Sequence, residues 1–155
     1  MTKTLTGGCL CGAVCYRAEL TMRFRPYACH CTDCQTRSGS AFGIQQSVLT
    51  ADLTVSGELV RGEHVQPSGA AAGIFACTKC LTRIYTDNDR RPGIVNLRAG
   101  TLDSSRDLVP AAHLWTASKL AWVVIPEGTI NMAGQPQDQA GWIEIFKPEP
   151  VAHDG

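Results

Sequence analysis

The feature that most constrains this chain is the spacing of its cysteines. Eight of the 155 residues are cysteine, and seven of these fall into three short motifs, CxC, CxCxxC and CxxC. The seven are Cys9 and Cys11, then Cys29, Cys31 and Cys34, and finally Cys77 and Cys80. Because the cytosol keeps thiols reduced, clustered cysteines in a protein that is not exported usually bind metal or take part in catalysis. The pattern predicts two zinc sites, one structural and one open.

The first ten residues and the short apolar runs of the sequence favour an intracellular location. Residues 1–10 contain no apolar stretch of signal-peptide length, and the longest apolar run, 120–126, is too short to span a bilayer. We therefore expect a cytoplasmic protein that does not enter a membrane. Four disulfides in a secreted scaffold would also use eight cysteines, but such scaffolds are mostly shorter, and a CxC pair is too close for an unstrained bridge.

Charge and composition indicate a single globular domain. The chain has 14 basic and 14 acidic residues, so no global field attracts nucleic acid, and it is 44% apolar. No repeat or long linker divides it. We predict one zinc-binding domain over residues 1–155, with a core of about 5–146 and a C-terminal tail at 147–155. The sequence does not indicate an oligomeric state.

Short alternating or β-branched stretches recur along the chain and are separated by turn formers, including many of the 15 glycines. They predict strands at 13–20, 42–48, 53–55, 73–76, 83–85, 94–97, 121–125 and 142–146. One short helix is predicted over 32–37, with Thr32 or Asp33 near its start and Gly39 as the left-handed residue after its end. The sequence thus predicts an irregular, mainly β fold.

The CxCxxC motif places Cys29, Cys31 and Cys34 within six residues. A turn entering a helix can bring three thiolates to within about 2.3 Å of one zinc ion and leave the fourth tetrahedral position open, which is the pattern of catalytic zinc. Alternatively a distant residue completes the site, and His30 and His113 are the candidates. Since His30 lies between two ligands, its ring is expected to point away from the metal and toward substrate or a supporting hydrogen bond.

The other two motifs supply the ligands of a closed site. Two short chelating turns, one with Cys9 and Cys11 and one with Cys77 and Cys80, would make a four-cysteine structural centre when a sheet brings them together. Cys15 remains outside both sites. It alternates in phase with Arg17 and Glu19 and is expected on the polar face of its strand.

Several stretches share a characteristic order and spacing with a known family. They are GCLCGAVCY at 8–16, CHCTDC at 29–34, GSAF at 39–42, CTKC at 77–80 with Thr82 and Tyr85, NLRAGTLD at 96–103, PAAHLW at 110–115, and Lys119 with Trp122. In these stretches the chain resembles the glutathione-dependent formaldehyde-activating enzymes, whose domain also occurs in centromere-protein-V type proteins. The resemblance covers most of the chain.

The resemblance implies a fold, two zinc ions and a reaction. The fold would be a zinc-stabilised β-tent of several coiled antiparallel sheets with one or two short helical turns, with structural zinc on the four-cysteine set and a second, catalytic zinc on Cys29, Cys31 and Cys34. The family's reaction joins glutathione and formaldehyde into S-hydroxymethylglutathione and is classed as that of a carbon-sulfur lyase. Two positions depart from the family pattern: Leu81 replaces a glycine after the CxxC, and Ala76 replaces an aromatic residue before it.

The chemistry of a zinc ion held by three thiolates favours a thiol substrate. Zinc held by three thiolates carries a formal charge of −1, which makes it a poor activator of water but a good acceptor for a fourth soft ligand. We predict that Arg37 binds a carboxylate of a glutathione-like substrate and that His30 or Asp33 moves a proton. On a strand, His113 and Trp115 would face the same side, where they would either wall a pocket or pack in the core. Core packing is our expectation for Trp115, Trp122 and Trp142.

Two other functions remain open from the sequence. A noncatalytic zinc module would bind a protein partner and close the three-cysteine site with a fourth ligand. A thiol redox protein would form reversible disulfides among Cys29, Cys31 and Cys34. Iron in place of zinc is also compatible with thiolate ligands.

Overall fold

The structure is a computed structural model that describes residues 4–152. Its strands in chain order are β1 Thr4–Gly8, β2 Cys15–Glu19, β3 Met22–Arg23, β4 Tyr27–Cys29, β5 Gly43–Leu49, β6 Leu53–Ser56, β7 Leu59–Val65, β8 Ala71–Cys77, β9 Arg83–Asn88, β10 Ile94–Arg98, β11 Ala112–Leu114, β12 Ile130–Asn131 and β13 Glu149–Pro150. Its two α-helices are α1 Thr32–Ser38 and α2 Gln139–Phe146. The predicted mainly β fold is confirmed.

Three sheets form from these strands. The largest has eight strands in the order β12-β11-β4-β5-β10-β9-β8-β7, the second has the order β1-β2-β6, and the third pairs β13 with β3. Pairing is antiparallel except where β11 lies parallel to both β4 and β12. The β13–β3 pair ties part of the predicted tail to the body of the protein.

The main core lies between the small β1-β2-β6 sheet and the large sheet. Alternation along β2 buries Tyr16 and Ala18 and exposes Cys15, Arg17 and Glu19, as the sequence predicts. Fully buried Ile84 and Leu97 of the large sheet join the same core cluster. Each large apolar side chain buried in this way contributes about 1.5–3 kcal/mol to the stability of the packed sheets.

Six of the eight predicted strands coincide with β2, β5, β6, β8, β9 and β10, and the other two predictions are wrong. Residues 121–125 form a turn and irregular chain in which Trp122 is 73% and Val124 86% exposed. Residues 142–146 belong to α2, where the Asp138 carboxylate accepts the Gly141 N–H at 2.8 Å and caps the helix. Trp142 and Phe146, four residues apart, are then buried on one helix face.

The predicted helix at 32–37 is confirmed as α1. Its N-cap is Cys31 rather than Thr32 or Asp33, because the Cys31 sulfur accepts the Cys34 N–H at 3.3 Å. Gly39 closes the helix with φ 63°, the left-handed conformation that glycine adopts without steric cost. Within residues 4–152, no helix has the length and apolar character needed to cross a membrane.

Candidate functional site

The CxC and CxxC motifs meet in one four-cysteine cluster. Cys9 and Cys11 lie in the loop after β1, Cys77 ends β8, and Cys80 lies in the turn before β9. Their four sulfur atoms lie within 4.8 Å of one another, with 3.5 Å between Cys9 and Cys11 and 3.8 Å between Cys11 and Cys77. A tetrahedron with zinc–sulfur bonds of about 2.3 Å has edges of about 3.8 Å, so this cluster fits a zinc ion.

Hydrogen bonds to the sulfur atoms favour their thiolate forms. The Val14 N–H lies 3.2 Å from the Cys9 sulfur, and the Lys79 N–H lies 3.4 Å from the Cys77 sulfur. The Thr82 hydroxyl and backbone N–H lower the pKa of Cys80 to about 5. Donors directed at sulfur stabilise its negative charge, which is what a metal ligand requires.

Leu81 has a backbone conformation that favours glycine. Its φ is 59°, in the left-handed region, and its N–H donates to the Cys77 carbonyl at 3.0 Å, which closes the CxxC turn. The side chain is 68% exposed. Leucine at this position therefore carries local backbone strain without removing a cysteine from the cluster.

The CxCxxC motif forms a second cluster where β4 joins α1. Cys29 ends the strand, Cys31 caps the helix and Cys34 lies in its first turn, and their three sulfur atoms also lie within 4.8 Å of one another. Cys29 and Cys31 are buried and Cys34 is partly buried. Three sulfur donors converging from one short segment fit a zinc ion with one open position.

Electrostatics make this cluster anionic at one sulfur. The thiols of Cys29 and Cys31, followed by the charge and hydrogen bond of Arg98, lower the pKa of Cys34 to about 3. The same thiol contacts raise the pKa of Cys29. The cluster thus holds a negative charge next to a guanidinium, in the state that binds a soft metal ion.

The three-cysteine cluster opens onto a cavity of about 260 Å³. Its lining includes the three cysteines and the aromatic residues Tyr27, Trp115 and Trp142. The acidic and arginine side chains in the wall are Arg37, Arg90, Arg91, Arg98, Asp33 and Asp138. Four arginines against two aspartates make the cavity positive in a chain whose net charge is zero. The cavity suits a small anionic ligand.

His30 and His113 form a buried pair away from the cavity. The His30 Nε2 lies 2.9 Å from the His113 Nδ1, their exposures are 0% and 6%, and the His30 ring also packs on Phe42. Burial lowers the pKa of both imidazoles, which keeps them neutral. In the described chain neither ring offers a ligand atom to the three-cysteine cluster or lines its cavity. The arrangement therefore gives no support to the alternative in which His30 or His113 completes the three-cysteine site.

Trp115 lies in the cavity wall without His113, contrary to the expectation that both face one side. The strand β11 ends at Leu114, and Trp115 has φ 58°, which interrupts the alternation of side chains. Its ring donates Nε1–H to Gln135 at 3.0 Å. Arg37 is the one predicted substrate-binding residue that the fold brings to the cavity with the cysteines.

Sequence reasoning missed a contact that joins α1 to the edge of the large sheet. His64 of β7 lies 2.6 Å from the Asp33 carboxylate in the first turn of α1, and both residues line the cavity. Thirty-one residues separate them in the sequence. A local pattern cannot show this pair, because the contact depends on where β7 lies relative to α1.

Comparisons with known proteins identify the family of this chain. Residues 4–118 match the family described as glutathione-dependent formaldehyde-activating enzyme. A Halomonas elongata protein named "Putative glutathione-dependent formaldehyde-activating enzyme" is 29% identical over 150 residues, covering 89% of this chain and 93% of its own. A crystal structure of a Rhodobacter sphaeroides protein has a TM-score of 0.49 and 20% identity, covering 82% of this chain and 98% of its own. This chain belongs to the glutathione-dependent formaldehyde-activating enzyme family.

Proposed function

We propose that this protein is a zinc-dependent carbon-sulfur lyase that interconverts glutathione and formaldehyde with S-hydroxymethylglutathione. The observation that carries the proposal is the position of three sulfur donors in the wall of a small, positively charged cavity. Family membership supports the substrates. Glutathione at neutral pH has two carboxylates, one ammonium group and a thiol, so its net negative charge complements the cavity.

The donor chemistry of both clusters fits zinc, with one structural and one catalytic ion in each chain. Zinc at Cys29, Cys31 and Cys34 would supply a Lewis acid that lowers the pKa of a fourth thiol ligand and keeps that sulfur nucleophilic at neutral pH. The three cysteines would hold this ion, and the four-cysteine cluster would stabilise the fold.

The chain's own residues would orient the substrate and move its proton. Arg37 and Arg98 lie in the cavity wall and would attract the substrate's carboxylates toward the cysteines. The Asp33–His64 pair lies in the same wall and offers a carboxylate and an imidazole to accept the thiol proton. As the sulfur–carbon bond forms, the π electrons of the aldehyde carbonyl move onto its oxygen. The same pair then returns the proton to that oxygen to give the hydroxymethyl group.

Zinc content and thiol competition test this proposal. We would measure zinc per chain in the purified protein before and after adding glutathione or 2-mercaptoethanol at equal concentration. We expect two zinc ions per chain, with only one of them perturbed, and perturbed more strongly by glutathione. Production of S-hydroxymethylglutathione from glutathione and formaldehyde would be followed in parallel by nuclear magnetic resonance.

A matched pair of cysteine variants assigns the perturbed ion. Cys34→Ala should lose about one zinc per chain and the synthesis of S-hydroxymethylglutathione, while Cys15→Ala should keep both, because Cys15 is exposed and outside the clusters. Two ions that resist every thiol would instead indicate closed sites and a protein-binding module. Reversible disulfides among the three cysteines at cytosolic potentials would indicate a redox protein.

A further inference from the structure

Arg91 is a buried cation in the wall of the same cavity. Its side chain is 5% exposed, and its guanidinium carbon lies 4.1 Å from the ring centroid of Trp142 in α2. The Nη1 atom lies 3.5 Å from the Asn96 Oδ1, a long contact, and the buried Nε has no hydrogen-bond partner. Within residues 4–152 no carboxylate forms an ion pair with Arg91.

This arrangement is costly unless an anion completes it. Burying a charged group without a counter-ion is unfavourable, and burial here lowers the pKa of Arg91. Contact with Trp142 fixes the plane of the guanidinium, and beside the contacts to Asn96 and Tyr27 its edge keeps further N–H donors for a ligand in the cavity. A planar, oriented guanidinium matches the two oxygens of a carboxylate better than any other common anion-binding side chain does.

The position of Arg91 relative to the cysteines sets the size of the ligand. Tyr27 and Cys29 lie two residues apart on the same face of β4, and the Tyr27 hydroxyl accepts a hydrogen bond from Arg91. Two strand residues and one phenol ring place the guanidinium on the order of 10 Å from the cysteine cluster. In glutathione each carboxylate is within about two residue lengths, roughly 7 Å, of the central cysteine backbone.

We propose that Arg91 binds a carboxylate of the thiol substrate, so that the cavity selects thiols bearing a carboxylate at about the reach of a tripeptide. The inference rests on the proposed function, since it assumes that a substrate sulfur binds at the three-cysteine cluster. It adds a binding residue that lies away from the metal ligands, and it excludes small neutral thiols as preferred substrates.

The test compares two ligands and three arginine variants by calorimetry on the zinc-loaded protein without aldehyde. The ligands are glutathione and its diethyl ester, which differ only at the carboxylates. The variants are Arg91→Met, Arg91→Lys and, as a matched control, Arg106→Met. Arg106 is exposed and lies outside the cavity lining, so its loss removes one positive charge away from the site.

We expect the wild-type protein and Arg106→Met to bind glutathione about 10- to 100-fold more tightly than the diester. Arg91→Met should lower this ratio several-fold by weakening glutathione alone, with Arg37 and Arg98 accounting for the preference that is left, and Arg91→Lys should restore part of the loss. A thermal melt reports folding, and Arg91→Lys provides the test if Arg91→Met fails to fold.

Three results would contradict the role of Arg91, and they distinguish it from the proposed function. Equal binding of both ligands to the wild-type protein would overturn the role of Arg91 and leave the proposed function standing. An unchanged ratio in folded Arg91→Met and Arg91→Lys would do the same. Failure of the wild-type protein to bind either thiol would reject the proposed function, and this inference with it.

Discussion

The two cysteine clusters share one kind of ligand and differ in everything around it. The four-cysteine cluster joins two loops, includes the exposed Cys11, and satisfies a tetrahedral ion by itself. The three-cysteine cluster comes from one segment, buries two of its sulfurs, and faces a cavity with four arginines. In the proposed assignment, the number of ligands and their surroundings, rather than the ligand atom, separate a structural centre from a reactive one.

Removing one cysteine from the four-cysteine cluster should have the largest effect and tests the difference between the two clusters most directly. Cys77 is fully buried and belongs to the main hydrophobic core, so Cys77→Ala loses both a zinc ligand and packing. We expect the free energy of unfolding to fall by more than about 5 kcal/mol, enough to prevent cooperative folding. Circular dichroism during heating measures this.

Cys34→Ala is the corresponding variant of the three-cysteine cluster. Since Cys34 is partly buried and lies outside the main core, this variant should keep a cooperative transition. Cys15→Ala should change stability by less than about 0.5 kcal/mol. Equal losses in Cys77→Ala and Cys34→Ala would contradict the assignment of separate roles.

A second experiment sharpens the electrostatic side of the comparison. With the pKa of Cys34 lowered to about 3, its thiolate persists until the pH falls toward that value, so alkylation of metal-free protein should continue at pH 5. Arg98→Met removes a charge that favours the thiolate, which raises this pKa. We expect alkylation of Cys34 near pH 3, relative to its rate at pH 7, to slow several-fold, measured by mass spectrometry of labelled peptides.

The matched control for that experiment is Arg106→Met, which removes an exposed positive charge outside the cavity lining. It should leave the labelling rate of Cys34 unchanged. If both arginine variants slowed labelling equally, a general field rather than the local Arg98 contact would be responsible.

The smallest effect concerns the strained turn of the closed cluster. Leu81→Gly relieves a left-handed conformation that costs about 1–2 kcal/mol and adds about 0.5–1 kcal/mol of unfolded-state entropy. We expect a net gain of about 0.5 kcal/mol, or roughly 1–2 °C in melting temperature for a domain of this size. Scanning calorimetry at full zinc occupancy measures it, and a lower melting temperature would disprove the strain argument.

Local patterns in the sequence were enough to predict which cysteines cluster and where most strands lie. Ligands two or three residues apart belong to one turn, and the alternation in β2 directly predicts its buried face. The same local signal misled at 142–146, where β-branched Ile143 and Ile145 favoured a strand. The spacing of Trp142 and Phe146, together with Asp138 as a cap, was the helical signal in this segment.

Contacts between distant segments account for what sequence reasoning missed. The His30–His113 pair depends on the parallel pairing of β4 with β11, and the Arg91–Trp142 contact depends on where α2 packs. The sequence around one residue of such a pair does not indicate which distant residue it contacts. The shape and charge of the cavity therefore could not be predicted from the sequence, whereas the clustering of its cysteines could.

The sequence separation of the ligands has a consequence for how the protein matures. The three-cysteine segment closes a loop of a few residues, whereas the closed cluster joins Cys11 to Cys77 across 66 residues. The longer closure costs on the order of 2–3 kcal/mol more in chain entropy. During synthesis the CxCxxC ligands emerge together, well before Cys77 and Cys80. With zinc in both proposed sites, the chain can capture its first ion at the three-cysteine segment while the sheet that completes the four-cysteine cluster is still being made.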